Sequence, residues 1–168
     1  MTQQGTVSAG LMNGKRGLVM GVANNRSIAW GIAKAAHMQG AKLAFTWQGE
    51  PLKKRVEPLA AELDAALVGH CDVTDPASID AVFAETERQF GGLDFLVHAI
   101  AFSDKNELDG RYVDTSAENF SKTMLISCYS FTAVAQRAEK LMKNGGSTLA
   151  QTPFGPAKGT AHHTRTGV

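Results

Sequence analysis

Leu18-Val19-Met20-Gly21-Val22-Ala23-Asn24-Asn25-Arg26-Ser27-Ile28-Ala29-Trp30-Gly31 reads as a short apolar strand, a turn of small and polar residues, and the first turn of a helix. Gly21 falls where the chain must reverse, and the missing side chain there lets a ligand approach the backbone. Ser27 is a good helix N-cap, since its hydroxyl can accept an unpaired N–H of the first turn. The helix behind it, 28–39, starts at Ile28 and points its positive dipole end and free N–H groups at the turn. That is an anion site, of the kind used for a dinucleotide pyrophosphate. Gly31, one turn in, predicts close packing of the helix on the strand. The spacing is not G-x-G-x-x-G, so on the residues alone plain strand-to-helix chemistry stands as an equal alternative.

Strand and helix signals alternate outward from this stretch, which predicts a parallel sheet covered on both faces. Strands are expected at 17–20, 42–47, 66–71, 94–101 and 147–151. The run at 94–101 is the most apolar and is expected to be central. Gly40 is placed as the cap that ends the first helix, and Pro51 as the opening of the second. Asp75-Pro76 starts a third helix that stops at Gly91-Gly92, and Ser116 caps a long one reaching about Asn144. The polar stretch 102–115 is a loop long enough to carry function. Right-handed crossovers give a Rossmann-type, doubly wound sheet of order 3-2-1-4-5, with its ligand rim at the carboxyl ends of the strands. That brings Gly21, Gln48, Asp72 and Ile100 to one edge.

Composition bounds the rest. The 168 residues are 43% hydrophobic and 20% charged, as expected of an ordinary globular chain. A formal charge of +1 and the lack of a basic run give no reason to invoke nucleic acid. No apolar run approaches the roughly 20 residues of a membrane span. Cys71 and Cys128 have no metal-type spacing and point to a reduced, cytoplasmic setting. The polar start, 1–10, is set apart as a tail, 11–152 as the dinucleotide-binding domain, and 153–168 as an irregular tail. His162-His163 are adjacent, point in different directions and lack a third ligand, so no metal is expected.

The string G-x5-S-I-A-x-G after an apolar strand, together with Trp47-Gln48-Gly49-Glu50 and Cys71-Asp72-Val73-Thr74-Asp75, resembles the NADH-dependent enoyl-acyl-carrier-protein reductases. These belong to the short-chain dehydrogenase/reductase superfamily, and the likeness runs from about Leu11 to Gly146. It implies that Gly21, Ser27 and Ile28 hold the diphosphate and that Gln48 serves the ribose. It further implies that Asp72 and Val73 hold the adenine, and that Ile100 packs beside the nicotinamide. The backbone at Ser103 would touch the acyl substrate, and Leu108 to Tyr112 would lie over it. Tyr129 would pack in the helix behind the nicotinamide. An uncharged amide at Gln48 favours NADH over NADPH, although Lys53, Lys54 and Arg55 stand near enough to pair with a 2′-phosphate. His98 reads as a buried, hydrogen-bonded histidine rather than a base. The partners implied are an acyl-carrier-protein-linked enoyl substrate and, through 116–144, further copies of the chain.

After Gly146 the pattern departs from the family. The family's chemistry uses one Tyr, a second Tyr further on, and then a Lys. As it is usually described, hydride goes to the β-carbon of the enoyl thioester, and the second Tyr hydrogen-bonds the thioester oxygen as charge develops there. With a single-residue deletion in the fifth strand, Pro153 takes the first Tyr position and His163 the catalytic one, while Lys158 aligns with a surface position. Imidazole is shorter than phenol, so a donor from that backbone position falls short of the oxygen. The expectation is therefore a fold incomplete relative to the family, a fifth strand left as an exposed edge, weak or absent turnover, and poor solubility. Two other readings remain open: an inactive NAD(H)-binding or assembly fragment, and another short-chain dehydrogenase such as a ketoacyl reductase. Gln48 and the widened turn before Ser27 speak against the second of these.

Overall fold

The computed structural model describes residues 10–151; the tail assigned to 153–168, with Pro153, Lys158, His162 and His163, lies outside them. Five parallel strands form one sheet in the order β3-β2-β1-β4-β5. They are β1 (Arg16–Met20), β2 (Lys42–Trp47), β3 (Ala66–His70), β4 (Phe95–His98) and β5 (Ser147–Ala150). The middle strand is β1, and β4 lies between it and β5, inside the sheet as its apolarity predicted. Both are buried on two faces, so the apolar run marks burial in the sheet interior and cannot separate neighbours there.

Register decides what each face holds. Leu18 lies between Ala44 and Leu96, and Val19 between Phe45 and Val97. Side chains alternate along a strand, so Leu18 and Met20 enter one core layer and Val19 the other. The first layer is closed by α3 (Pro76–Phe90) and α5 (Ser130–Leu141) through Ile79, Val82, Val134 and Leu141. The second is closed by α1 (Ile28–Met38) and α2 (Gly49–Glu62) through Ala29, Trp30, Ala33 and Val56. Each fully buried aliphatic side chain contributes about 1.5–3 kcal/mol relative to exposure.

Helix ends obey local chemistry in most places. The Asp75 side chain accepts from Ala77 N–H, with Pro76 at the first helical position. Gly40, at φ +91°, ends α1 as its lack of a Cβ allows. Three expectations are corrected. Gly31 does not bring α1 onto the sheet: a Cβ there would meet nothing within 4 Å, and the alanines and Trp30 make that contact. The second helix starts at Gly49, two residues ahead of Pro51, because proline sits well anywhere in a first turn. The long helix from Ser116 is three pieces, α4 (Ala117–Met124), a π-helical turn Leu125–Tyr129, and α5. The loop 102–115 holds two short 3-10 turns, Lys105–Glu107 and Tyr112–Asp114. Among the described residues no helix is long and apolar enough to cross a membrane.

Candidate functional site

The strand ends converge on a cavity of about 520 Å³. Gly21 follows β1, Gln48 follows β2, Asp72 and Val73 follow β3, and Ile100 follows β4; all five line it. Ser27, Ile28 and Ser103 are not among its walls.

Gly21 adopts φ +97°, and a Cβ there would stand 2.0 Å from the Ala99 carbonyl oxygen. The space a side chain would need is thus filled by the backbone leaving β4, which brings the turn against that strand. Ser27 starts α1 but does not cap it with its side chain. Its Oγ donates to Asn24 O at 2.7 Å and accepts from Ala23 N at 3.4 Å, tying the turn 23–27 into one unit. The Ser27 carbonyl accepts from Trp30 and Gly31, and no hydrogen bond to the N–H groups of Ile28 or Ala29 forms among the described residues. Those donors sit at the positive end of α1, where an anion would meet backbone N–H groups and not a serine cap.

Asp72 Oδ1 accepts from Thr74 N at 2.9 Å and Thr74 Oγ1 at 2.7 Å. The Thr74 hydroxyl and N–H, then the Gln48 side chain, hold the carboxyl below its ordinary range, so it is ionised and acceptor-only. Asp72 therefore closes a turn and faces the cavity at once. Beside it, burial and then the Asp72 charge push the Cys71 thiol up to about 12, so it is an inert wall and no nucleophile. Val73, 8% exposed, and the half-buried Ile100 add apolar wall. Lys53 lies over the Trp47 ring at 5.7 Å and within 4.0 Å of Glu50 and 3.9 Å of Glu57. Of that basic trio, the exposed Lys54 and Arg55 take part in no ion pair among the described residues.

Ser103 Oγ accepts from Thr123 Oγ1 at 3.0 Å and Asn119 Nδ2 at 3.2 Å. Asn119 also accepts from Asp104 N at 2.9 Å and reaches Glu107 at 3.3 Å, while Glu107 accepts from Ser116 Oγ at 2.7 Å. The first half of the loop 102–115 is thereby fastened to α4 and its N-cap, Ser116. His98 is 1% exposed and hydrogen-bonded, with Nε2 2.8 Å from Ser130 Oγ. Tyr129, in the π turn, is 57% exposed and is not part of the buried core. Thr46, Phe102 and Lys122 also line the cavity, and sequence reasoning missed all three. The phase of α4 alone could have flagged Lys122.

An ionised acceptor, an amide, unpaired backbone donors and apolar walls suit a dinucleotide: purine edge, ribose hydroxyls, pyrophosphate and a flat ring. A profile of the family described as Enoyl-(Acyl carrier protein) reductase matches residues 21–168. The chain is 64% identical over 161 residues to an enoyl-[acyl-carrier-protein] reductase [NADH] of Rhizobium meliloti, covering 96% of this chain and 59% of that protein. It is 49% identical over 162 residues to one from Rickettsia bellii, covering 96% of this chain and 62% of the relative. A crystal structure of the Anaplasma phagocytophilum enoyl-(acyl-carrier-protein) reductase in complex with NAD superimposes with a TM-score of 0.90 at 53% identity, over 95% of this chain and 62% of that one. The chain thus spans about three-fifths of the length of the relatives it matches.

Proposed function

The chain belongs to the enoyl-(acyl carrier protein) reductase family, and from that premise we propose that it binds NADH at the Gly21 rim as the cofactor half of a trans-2-enoyl thioester reductase of fatty acid biosynthesis. The observation that carries this is the meeting of Gly21, Gln48, Asp72 and Ile100 around one cavity. The backbone N–H groups of Ile28 and Ala29, behind the turn that Ser27 ties together, take the pyrophosphate. Gln48 serves the ribose hydroxyls, Asp72 accepts from the purine edge, and Val73 covers it. Ile100 lies against the nicotinamide side, and the backbone at Ser103 meets the acyl chain. When bound, the dinucleotide supplies a hydride.

His163 stands where the alignment puts the donor to the thioester oxygen, and its shorter ring leaves that charge poorly met. Turnover is therefore weak or absent while binding persists. The substrate is an enoyl group carried on acyl carrier protein. Copies of the chain associate through 116–144, where Phe120, Leu125 and Tyr129 are 40%, 40% and 57% exposed. Cys71 and Cys128, both free thiols, fit a cytoplasmic setting.

Calorimetry with NADH and NADPH, alongside NADH oxidation with a short enoyl thioester, tests the reading. NADH is expected to bind more tightly than NADPH and, at a hundredfold excess over Kd, to stabilise the fold by about 2.7 kcal/mol. A rate comparable with that of a full-length relative overturns the assignment at His163. Failure of both dinucleotides to bind a folded sample overturns the site.

A further inference from the structure

The cavity that is read as a dinucleotide site holds a cation that sequence reasoning missed. Lys122, on α4, is the only Lys or Arg among its described walls. None of the ion pairs among the described residues involves it. Its Nζ stands 4.9 Å from the centre of the Phe102 ring, at the end of the segment leaving β4. A ring face orients an ammonium without neutralising it, so the charge stays available to an anion.

The backbone around Lys122 is fixed. Asn119, 4% exposed, and Thr123, 7% exposed, tie α4 to Ser103 and Asp104 on both sides of it. One charged wall residue opposes it, Asp72, and that carboxylate already accepts two hydrogen bonds from Thr74. A dinucleotide brings two negative charges into this space, and the α1 end offers only partial charges from backbone dipoles.

We infer that Lys122 is an affinity-determining residue that answers the negative charge of the bound dinucleotide from the α4 side of the cavity. The inference rests on the NADH site proposed above. It makes NADH affinity depend on salt through one side chain, because an exposed ion pair is screened within about 8 Å at physiological ionic strength. Arginine retains the charge and stacks on an aromatic ring, so it can replace lysine here. Methionine retains the stem and loses the charge.

The test is calorimetric titration of NADH at low and high salt into the full chain and its K122M, K122R and K42M variants, with a melting curve for each. Lys42 is an exposed lysine at the start of β2, the end of that strand away from the cavity, and serves as the surface-charge control. K122M is expected to bind about 5- to 20-fold more weakly at low salt, with a flatter salt dependence. K122R should stay within about twofold, K42M should be unchanged, and all three should melt with the unsubstituted chain. Wild-type affinity and salt dependence in K122M overturn the inference and leave the site standing. A K122R loss as large as that of K122M, or a K42M loss that matches it, also overturns it. No binding by the unsubstituted chain overturns both inference and site.

Discussion

Buried in β4 against the Phe131 ring, His98 meets Ser130 Oγ, which itself donates to Ile126 O at 2.6 Å. The hydroxyl has one proton and gives it to that carbonyl, so the network assigns the ring proton to Nε2. Burial holds the His98 pKa below its ordinary 6.5. Between the folded and unfolded values the unfolded chain binds more protons, so stability rises with pH in that window. The contribution is complete above about pH 6.5 and falls away as the pH drops through the folded value. Melting curves from pH 7.5 to pH 5 should show this loss, and His98→Gln should flatten it while lowering stability throughout. A variant with the wild-type slope would place the titration elsewhere. At this scale the site was half legible. Gln48, Asp72, Val73 and Ile100 each come just after a strand end, so topology alone carries them to the rim. Ser27, Gly31 and Lys122 depend on turn closure and helix phase, which residue identity does not encode.

Helices divide in the same way between what local chemistry dictates and what tertiary contacts impose. Asp75-Pro76 gave α3 a start the structure keeps, with Asp75 Oδ1 2.9 Å from Ala77 N. Asp75→Ala should cost about 1 kcal/mol and Asp75→Asn far less, since the two side chains cap alike. Urea midpoints at constant slope would check this; equal losses would mean that the carboxylate charge matters more than the hydrogen bond. The break at Leu125–Tyr129 had no such signal. Apolar spacing runs on through it, so the sequence reads as one helix from Ser116. The π turn shifts the phase of α5, so that Ser130, Ala133, Val134 and Leu141 face the sheet while Tyr129 and Leu125 turn out. The contacts that fix this, Ser130 with His98 and Ser127 Oγ with Phe102 O at 3.1 Å, reach across at least 25 positions. A local pattern cannot report them.

Across the whole molecule, the sheet order and the two-layer core were legible because apolar runs and right-handed crossovers leave few topologies. The same topology exposes a weakness. Among the described residues β5 is an edge strand, exposed at all four positions, and Leu149 is 48% exposed where it pairs with Val97. An apolar edge with unpaired backbone groups is a template for another chain. Association through 116–144 differs from edge pairing in how it grows. Helix-to-helix contacts in a symmetric oligomer close at a fixed number of copies, whereas strand addition at an edge continues. Light scattering against time and concentration separates the two. The unsubstituted chain is expected to grow without a plateau, and Leu149→Lys to stop that growth. Stability should move by less than about 0.5 kcal/mol, since the position is at the surface. A lysine there repels an approaching strand without removing any ladder hydrogen bond to β4. A monodisperse unsubstituted chain with one cooperative melt would show the edge to be harmless. Growth that Leu149→Lys leaves untouched would clear the β5 edge as its cause, whereas growth that stops at a fixed size would point to Phe120, Leu125 and Tyr129.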